Sequence, residues 1–150
     1  MSLKSLIMSA IKEAMKAKDK VALETLRAIK AELMLAETAT GSAVEMSEAD
    51  EIKLLMKMMK QRKDAAAIYV EQGRSDLAED EIVQTKILDH FLPQQLSVEE
   101  LEAEVAKIIL KVGATGPADM GKVMGITSKE LAGKAEGRSI ANTVKSLLNK

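Results

Sequence analysis

Apolar residues recur along this chain at spacings of three and four, the period of one helix face. Over residues 3–17 the stripe is Leu3, Leu6, Ile7, Ala10, Ile11, Ala14 and Met15, with Lys4, Lys12 and Lys16 off it. Asp19 then supplies an N-cap, because its carboxylate can accept from free amides of the next first turn. The second helix turns Leu23, Leu26, Ile29, Leu33 and Ala36 inward and stops at the loop-like Thr38-Ala39-Thr40-Gly41-Ser42. Ser47 and Asp50 form a capping pair for a third helix that runs to about Gln72. Its inward positions are Ile52, Leu55, Met56 and Met59, then Ala66, Tyr69 and Val70. Gly73 suits a left-handed C-cap. A fourth helix starts near Ser75 and carries Ile82, Ile87, Leu88 and Phe91.

Leu92-Pro93-Gln94-Gln95-Leu96 ends that run, since a residue before proline is biased out of the helical region. A boundary placed here divides the chain into residues 1–94 and 95–150. Ser97 and Glu100 fit a capping box, with Leu96 and Leu101 at the two staple positions. The fifth helix carries Leu101, Val105, Ile108, Ile109 and Val112 and ends at Gly113. Pro117 suits the first position of a sixth helix, with Met120, Val123, Met124, Thr127 and Leu131 on one side. Gly133 and Gly137 bracket a turn, and the last helix carries Ile140, Val144, Leu147 and Leu148. No segment alternates as a strand would. The pattern predicts an all-α fold: an N-terminal four-helix domain followed by a C-terminal three-helix domain.

Composition sharpens this. Hydrophobic residues are 47% of the 150, yet Tyr69 and Phe91 are the only aromatics, so the core is built from aliphatic side chains and Met. With no cysteine, disulfides, thiolate metal sites and cysteine nucleophiles are excluded. No apolar run approaches the roughly 20 residues needed to span a bilayer. The N-terminal stretch reads as an amphipathic helix rather than a secretory signal. A cytoplasmic protein is expected.

Candidate chemistry is sparse. His90 is the single histidine, so a histidine-rich zinc site is excluded and no acid–base pair suggests itself. The acids Glu79-Asp80-Glu81 read as a solvated first-turn face that suits the helix dipole, and the same holds for Glu99, Glu100, Glu102 and Glu104 near the start of the fifth helix. There is no Gly-x-Ser-x-Gly setting and no phosphate loop. No catalytic residue, metal or cofactor is expected.

Net charge is −1, but it is unevenly distributed. Between Asp76 and Glu104 there are nine acids and one lysine. From Lys111 onward seven cations face only Asp119, Glu130 and Glu136. Such a tail could neutralise phosphates, although the lack of aromatics argues against single-strand stacking. In the third helix Lys60, Arg62 and Lys63 make a dense basic step, a second possible interaction face. Ten methionines, Met56, Met58, Met59, Met120 and Met124 among them, suit core packing or an adaptable surface.

Several segments carry a resemblance: Thr25-Leu26-Arg27-Ala28-Ile29-Lys30-Ala31, Lys60-Gln61-Arg62-Lys63-Asp64, Gly73-Arg74-Ser75-Asp76-Leu77-Ala78, Phe91-Leu92-Pro93-Gln94-Gln95-Leu96-Ser97, Asp119-Met120-Gly121-Lys122-Val123-Met124-Gly125 and Gly133-Lys134-Ala135-Glu136-Gly137-Arg138. In order and spacing the chain resembles the GatB/YqeY family, with Glu136 where that pattern more often has Asp. The resemblance implies a C-terminal domain similar to the tail of the tRNA-dependent amidotransferase B subunit, which helps hold tRNA while other parts do the chemistry. It implies a non-catalytic helical adapter for tRNA or a tRNA-handling complex, with Lys122, Lys129, Lys134 and Arg138 as the phosphate contacts. Two alternatives stay open: a protein–protein interaction module, and an accessory part of a carbon–nitrogen ligase that takes nitrogen from glutamine.

Overall fold

The computed structural model describes residues 2–39 and 46–150. Every long regular element in them is helical: α1 (Leu3–Ala17), α2 (Lys20–Ala39), α3 (Glu48–Glu71), α4 (Ser75–Asp89), α5 (Val98–Val112), α6 (Met120–Glu130) and α7 (Gly137–Leu148), with one 3-10 turn at Pro117–Asp119. The chain divides into two compact units, Met1–Leu92 and Pro93–Lys150, with four helices in the first and three in the second. Among the described residues no helix is long and apolar enough to cross a membrane.

Local signals set the helix ends. Ser2, Ser47 and Ser97 each accept the backbone N–H three residues on, satisfying an amide that the first turn leaves free. At Ser97 the box closes, because the Ser97 N–H donates to the Glu100 carboxylate. Asp19 accepts from the Ala22 amide and so starts α2. Gly73 and Gly113 take left-handed conformations after α3 and α5, with φ of 71° and 69°. There Arg74 N–H reaches back to Tyr69 and Ala114 N–H to Ile109, covering carbonyls the helices leave open.

The first unit packs Leu3 and Ile7 of α1, Leu26, Ile29 and Leu33 of α2, Leu55, Met58 and Met59 of α3, and Leu88 of α4 into one core with Leu92. The second unit has a separate core: Leu101, Val105 and Ile108 of α5, Val123 of α6, Leu131, and Ile140, Val144 and Leu148 of α7. Two threonines are buried with these side chains. Thr25 and Thr127 each donate to the carbonyl four residues back, at 2.8 and 2.7 Å, so neither hydroxyl is left unpaired.

The structure departs from the periodic reading in a few places. Leu6, Met15 and Val70, placed on inward faces by spacing, are exposed, and so is Ile82 of α4. Met15 and Val70 lie in the last turns of α1 and α3. Thr38 and Ala39 belong to α2 rather than to a loop, while Thr40, Gly41 and Ser42 lie outside the described residues. Met58 and Met59 are core residues and Met120 and Met124 pack against the second core, so these methionines fill space.

Candidate nucleic-acid interface

In the second unit α6 buries Val123 and Thr127, and its other sides carry the candidate cations. Lys122 and Lys129 are seven residues apart, so they share one flank about 10 Å apart along the axis. Lys122 also turns its amine towards the Val112 carbonyl at 3.4 Å, a cation at the negative end of α5. The outermost strip of α6 is Gly121, Gly125 and Ser128, all exposed.

The loop before α6 is organised by Asp119. Its carboxylate accepts the Thr115 amide at 2.9 Å. That hydrogen bond, more than the nearby Lys122 charge, holds the Asp119 carboxyl below its usual value. A carboxyl so lowered contributes stability above its ordinary range and loses it as pH falls through the folded value. Asp119→Asn is therefore expected to flatten the acid side of the stability curve below about pH 4 and to leave the neutral-pH shape alone. Urea titrations at several pH values measure this; parallel acid limbs for the two proteins would contradict it.

Lys134 sits in the turn between α6 and α7, and two segments of the resemblance meet there. The Leu96 N–H donates to the Lys134 carbonyl at 2.8 Å. The Gln95 side-chain amide donates to the carbonyls of Gly133 at 2.6 Å and Pro93 at 2.9 Å. Gly133, with φ of 79°, makes the turn possible. The Leu-Pro-Gln-Gln-Leu segment thus fixes the turn that presents Lys134. Gln95→Ala leaves a partly buried carbonyl short of its donor and is expected to cost about 1–3 kcal/mol, read by thermal unfolding. A change within about 0.3 kcal/mol would show the tie to be idle.

Arg138 opens α7, about 160° around the helix from buried Ile140, so it faces out. Below it on the same side follow Asn142, Lys145 and Asn149, at steps of four, three and four. No Asp or Glu occurs after Glu136. The outer face of α7 is thus a strip of cations and neutral hydrogen-bonding groups. Sequence reading alone did not join Asn142, Lys145 and Asn149 to Arg138 on one face. The signal was the acid-free run after Glu136 combined with the spacing from Arg138.

The other candidate cations, Lys60, Arg62 and Lys63, belong to the first unit. Lys60 and Lys63 are exposed on neighbouring flanks of α3, whereas Arg62 points the other way. Its guanidinium donates to the Gln84 side chain of α4 at 2.8 Å and reaches the Met58 carbonyl at 3.4 Å. Arg62 therefore ties α3 to α4 and leaves a two-lysine face. Arg74 has a comparable structural task. It clamps Asp76 through two hydrogen bonds, at 3.2 and 3.1 Å, and so holds the Asp76 carboxyl below its usual value. His90 is exposed, edge-on to the Phe91 ring. Among the described residues no group of His, Asp or Glu gathers in a way that could hold a metal ion.

Residues 4–148 match the family model described as Yqey-like protein. The chain belongs to this family. The YqeY-like chain is also similar to a Kluyveromyces lactis protein named altered inheritance of mitochondria protein 41, mitochondrial. The two are 28% identical over 138 residues, spanning 90% of this chain and 70% of the relative. Residues 4–148 include the segments named above, and several of these have structural explanations. Thr25, Leu26 and Ile29 are core, Gly73–Asp76 is a turn clamp, and Gln95 fixes the turn at Gly133.

Proposed function

We propose that this chain is a non-catalytic helical adapter that holds tRNA through the outward faces of α6 and α7. The observation that carries the reading is the acid-free strip Arg138, Asn142, Lys145 and Asn149, with exposed Lys122, Lys129 and Lys134 in the same unit. Cations supply phosphate neutralisation, and the neutral amides can hydrogen-bond phosphate or ribose without repelling it. The similarity of this unit's motifs to the tail of the amidotransferase B subunit supports the same assignment. In such a system glutaminase and kinase chemistry would sit on other chains, and the purified chain should transfer no amide nitrogen from glutamine. The reading places the chain wherever tRNA is handled. The cytoplasm is one such compartment, and the name of the Kluyveromyces lactis relative points to the mitochondrion.

Titration of labelled tRNA across salt concentrations tests this. About four phosphate contacts give a log–log slope near −3 or steeper. Absence of binding to several tRNAs at low salt would end the proposal.

A further inference from the structure

The first unit holds an apolar groove of about 600 Å³ that the tRNA reading does not use. Its origin lies in how the helices pair. In a closed four-helix bundle each helix packs on two neighbours. Here α1 packs along α2, α2 along α4, α4 along α3 and α2 more lightly on α3, whereas among the described residues neither α3 nor α4 packs closely along α1, which is left with one close neighbour. The space between α1 and α4 stays open over α2. Its floor is Ala22 and Leu26 of α2, one wall is Ala10, Ala14 and Ala17 of α1, and the other is Val83 and Ile87 of α4 with Phe91. Small residues on the α1 side keep it wide, and Val83 is 38% exposed in it.

The two banks carry opposite charge. Glu13 and Asp19 edge the α1 side with negative charge, and Lys86 edges the α4 side with positive charge. Glu13 meets Lys16 at 3.7 Å with both side chains about three-quarters exposed, a pairing worth little. Along α1 the groove runs from Ala10 to Ala17, about 10 Å at 1.5 Å per residue. That is the reach of apolar side chains at i, i+4 and i+7 on a single helix.

We propose that this groove receives an amphipathic helix of a partner protein, two to three turns long, that completes the bundle between α1 and α4. Its apolar stripe lies on Leu26, Val83 and Ile87. Its basic shoulder lies beside Glu13 and Asp19, and its acidic shoulder beside Lys86. The inference is independent of RNA binding by the second unit.

The test uses the full chain and a displayed library of helical peptides about 16 residues long, varied at the stripe and at both shoulders. Selected peptides should converge on large aliphatic residues in the stripe, with a base on one shoulder and an acid on the other. Val83→Lys, a change at a partly exposed position, should weaken them about tenfold or more, and Ala17→Arg at the exposed end of the groove should do likewise. Lys86→Glu should reverse the preference on the acidic shoulder while helix content stays unchanged by circular dichroism. Peptides that bind the Val83→Lys and Ala17→Arg proteins as well as the parent would overturn the proposal. So would a library that yields no binder, including the case in which sodium laurate occupies the groove, which would make it a small-amphiphile site.

Discussion

Replacing Lys122, Lys129, Lys134 and Arg138 together by alanine should reduce tRNA affinity about 100-fold at low salt and flatten its salt dependence. The size follows from counterion release. Each phosphate neutralised contributes about 0.7–0.9 to the log–log slope. Four contacts therefore make the parent lose about 100-fold in affinity between 50 and 200 mM salt, whereas the variant should change by only a few-fold. All four side chains are exposed, and the Lys122 amine donates to the Val112 carbonyl. Folding should therefore survive, with a small loss traceable to that helix-end contact. Two further changes sharpen the result. Lys145→Ala should lower the slope by about one on its own, because Lys145 continues the Arg138 strip. Lys60→Ala with Lys63→Ala should leave it unchanged, since those lysines lie on α3 in the first unit. A quadruple variant that keeps the parent's slope would move the RNA contact elsewhere or remove it.

What could be read from the sequence follows the range over which each signal acts. Ser97 and Glu100 are three residues apart, and their capping box is written in local spacing. Gly73 and Gly113 likewise declare left-handed turns by lacking a Cβ. The seven apolar stripes predict seven helices because a face buried at a 3.6-residue period leaves its period in the sequence. The misplacements at Met15 and Val70 fall in terminal turns, where a 3.6-residue period says least about what covers a face. Arg62 shows the opposite failure. Within the Lys60-Gln61-Arg62-Lys63 run it reads as one more surface cation, but its partner Gln84 is 22 residues away and no local rule could supply it. The bond from Gln95 to the Gly133 carbonyl spans 38 residues and was hidden for the same reason, although both segments belonged to the quoted resemblance. At the candidate interface, residue type marked the cations, but only the helix register joins Asn142, Lys145 and Asn149 to Arg138. The groove is the least legible feature, since it arises from a pairing that α1 and α4 do not make.

Leu88→Ala should remove most of the first unit's stability and leave the second unit folded. Leu88 has no exposed surface and stands among Leu26, Ile29, Leu55 and Leu92 in a core with no aromatic ring among its buried members. Deleting three buried carbons loses their transfer energy and opens a cavity that rigid helices refill only in part, a cost of about 2–5 kcal/mol. For a unit of this length each kcal/mol moves the midpoint by about 4–8 °C, so the first transition should fall by at least about 10 °C. The second core draws its buried members from α5, α6, the turn after it and α7, and shares no residue with the first. Hydrogen exchange should therefore accelerate across α1–α4 while amides in α5 and α7 keep the parent's protection. The reciprocal change, Val144→Ala, should reverse the pattern. If labelled tRNA is held by α6 and α7, Leu88→Ala should also keep its RNA affinity at a temperature where the first unit has melted. Joint loss of protection in both units on either substitution would show that the two cores unfold as one cooperative system.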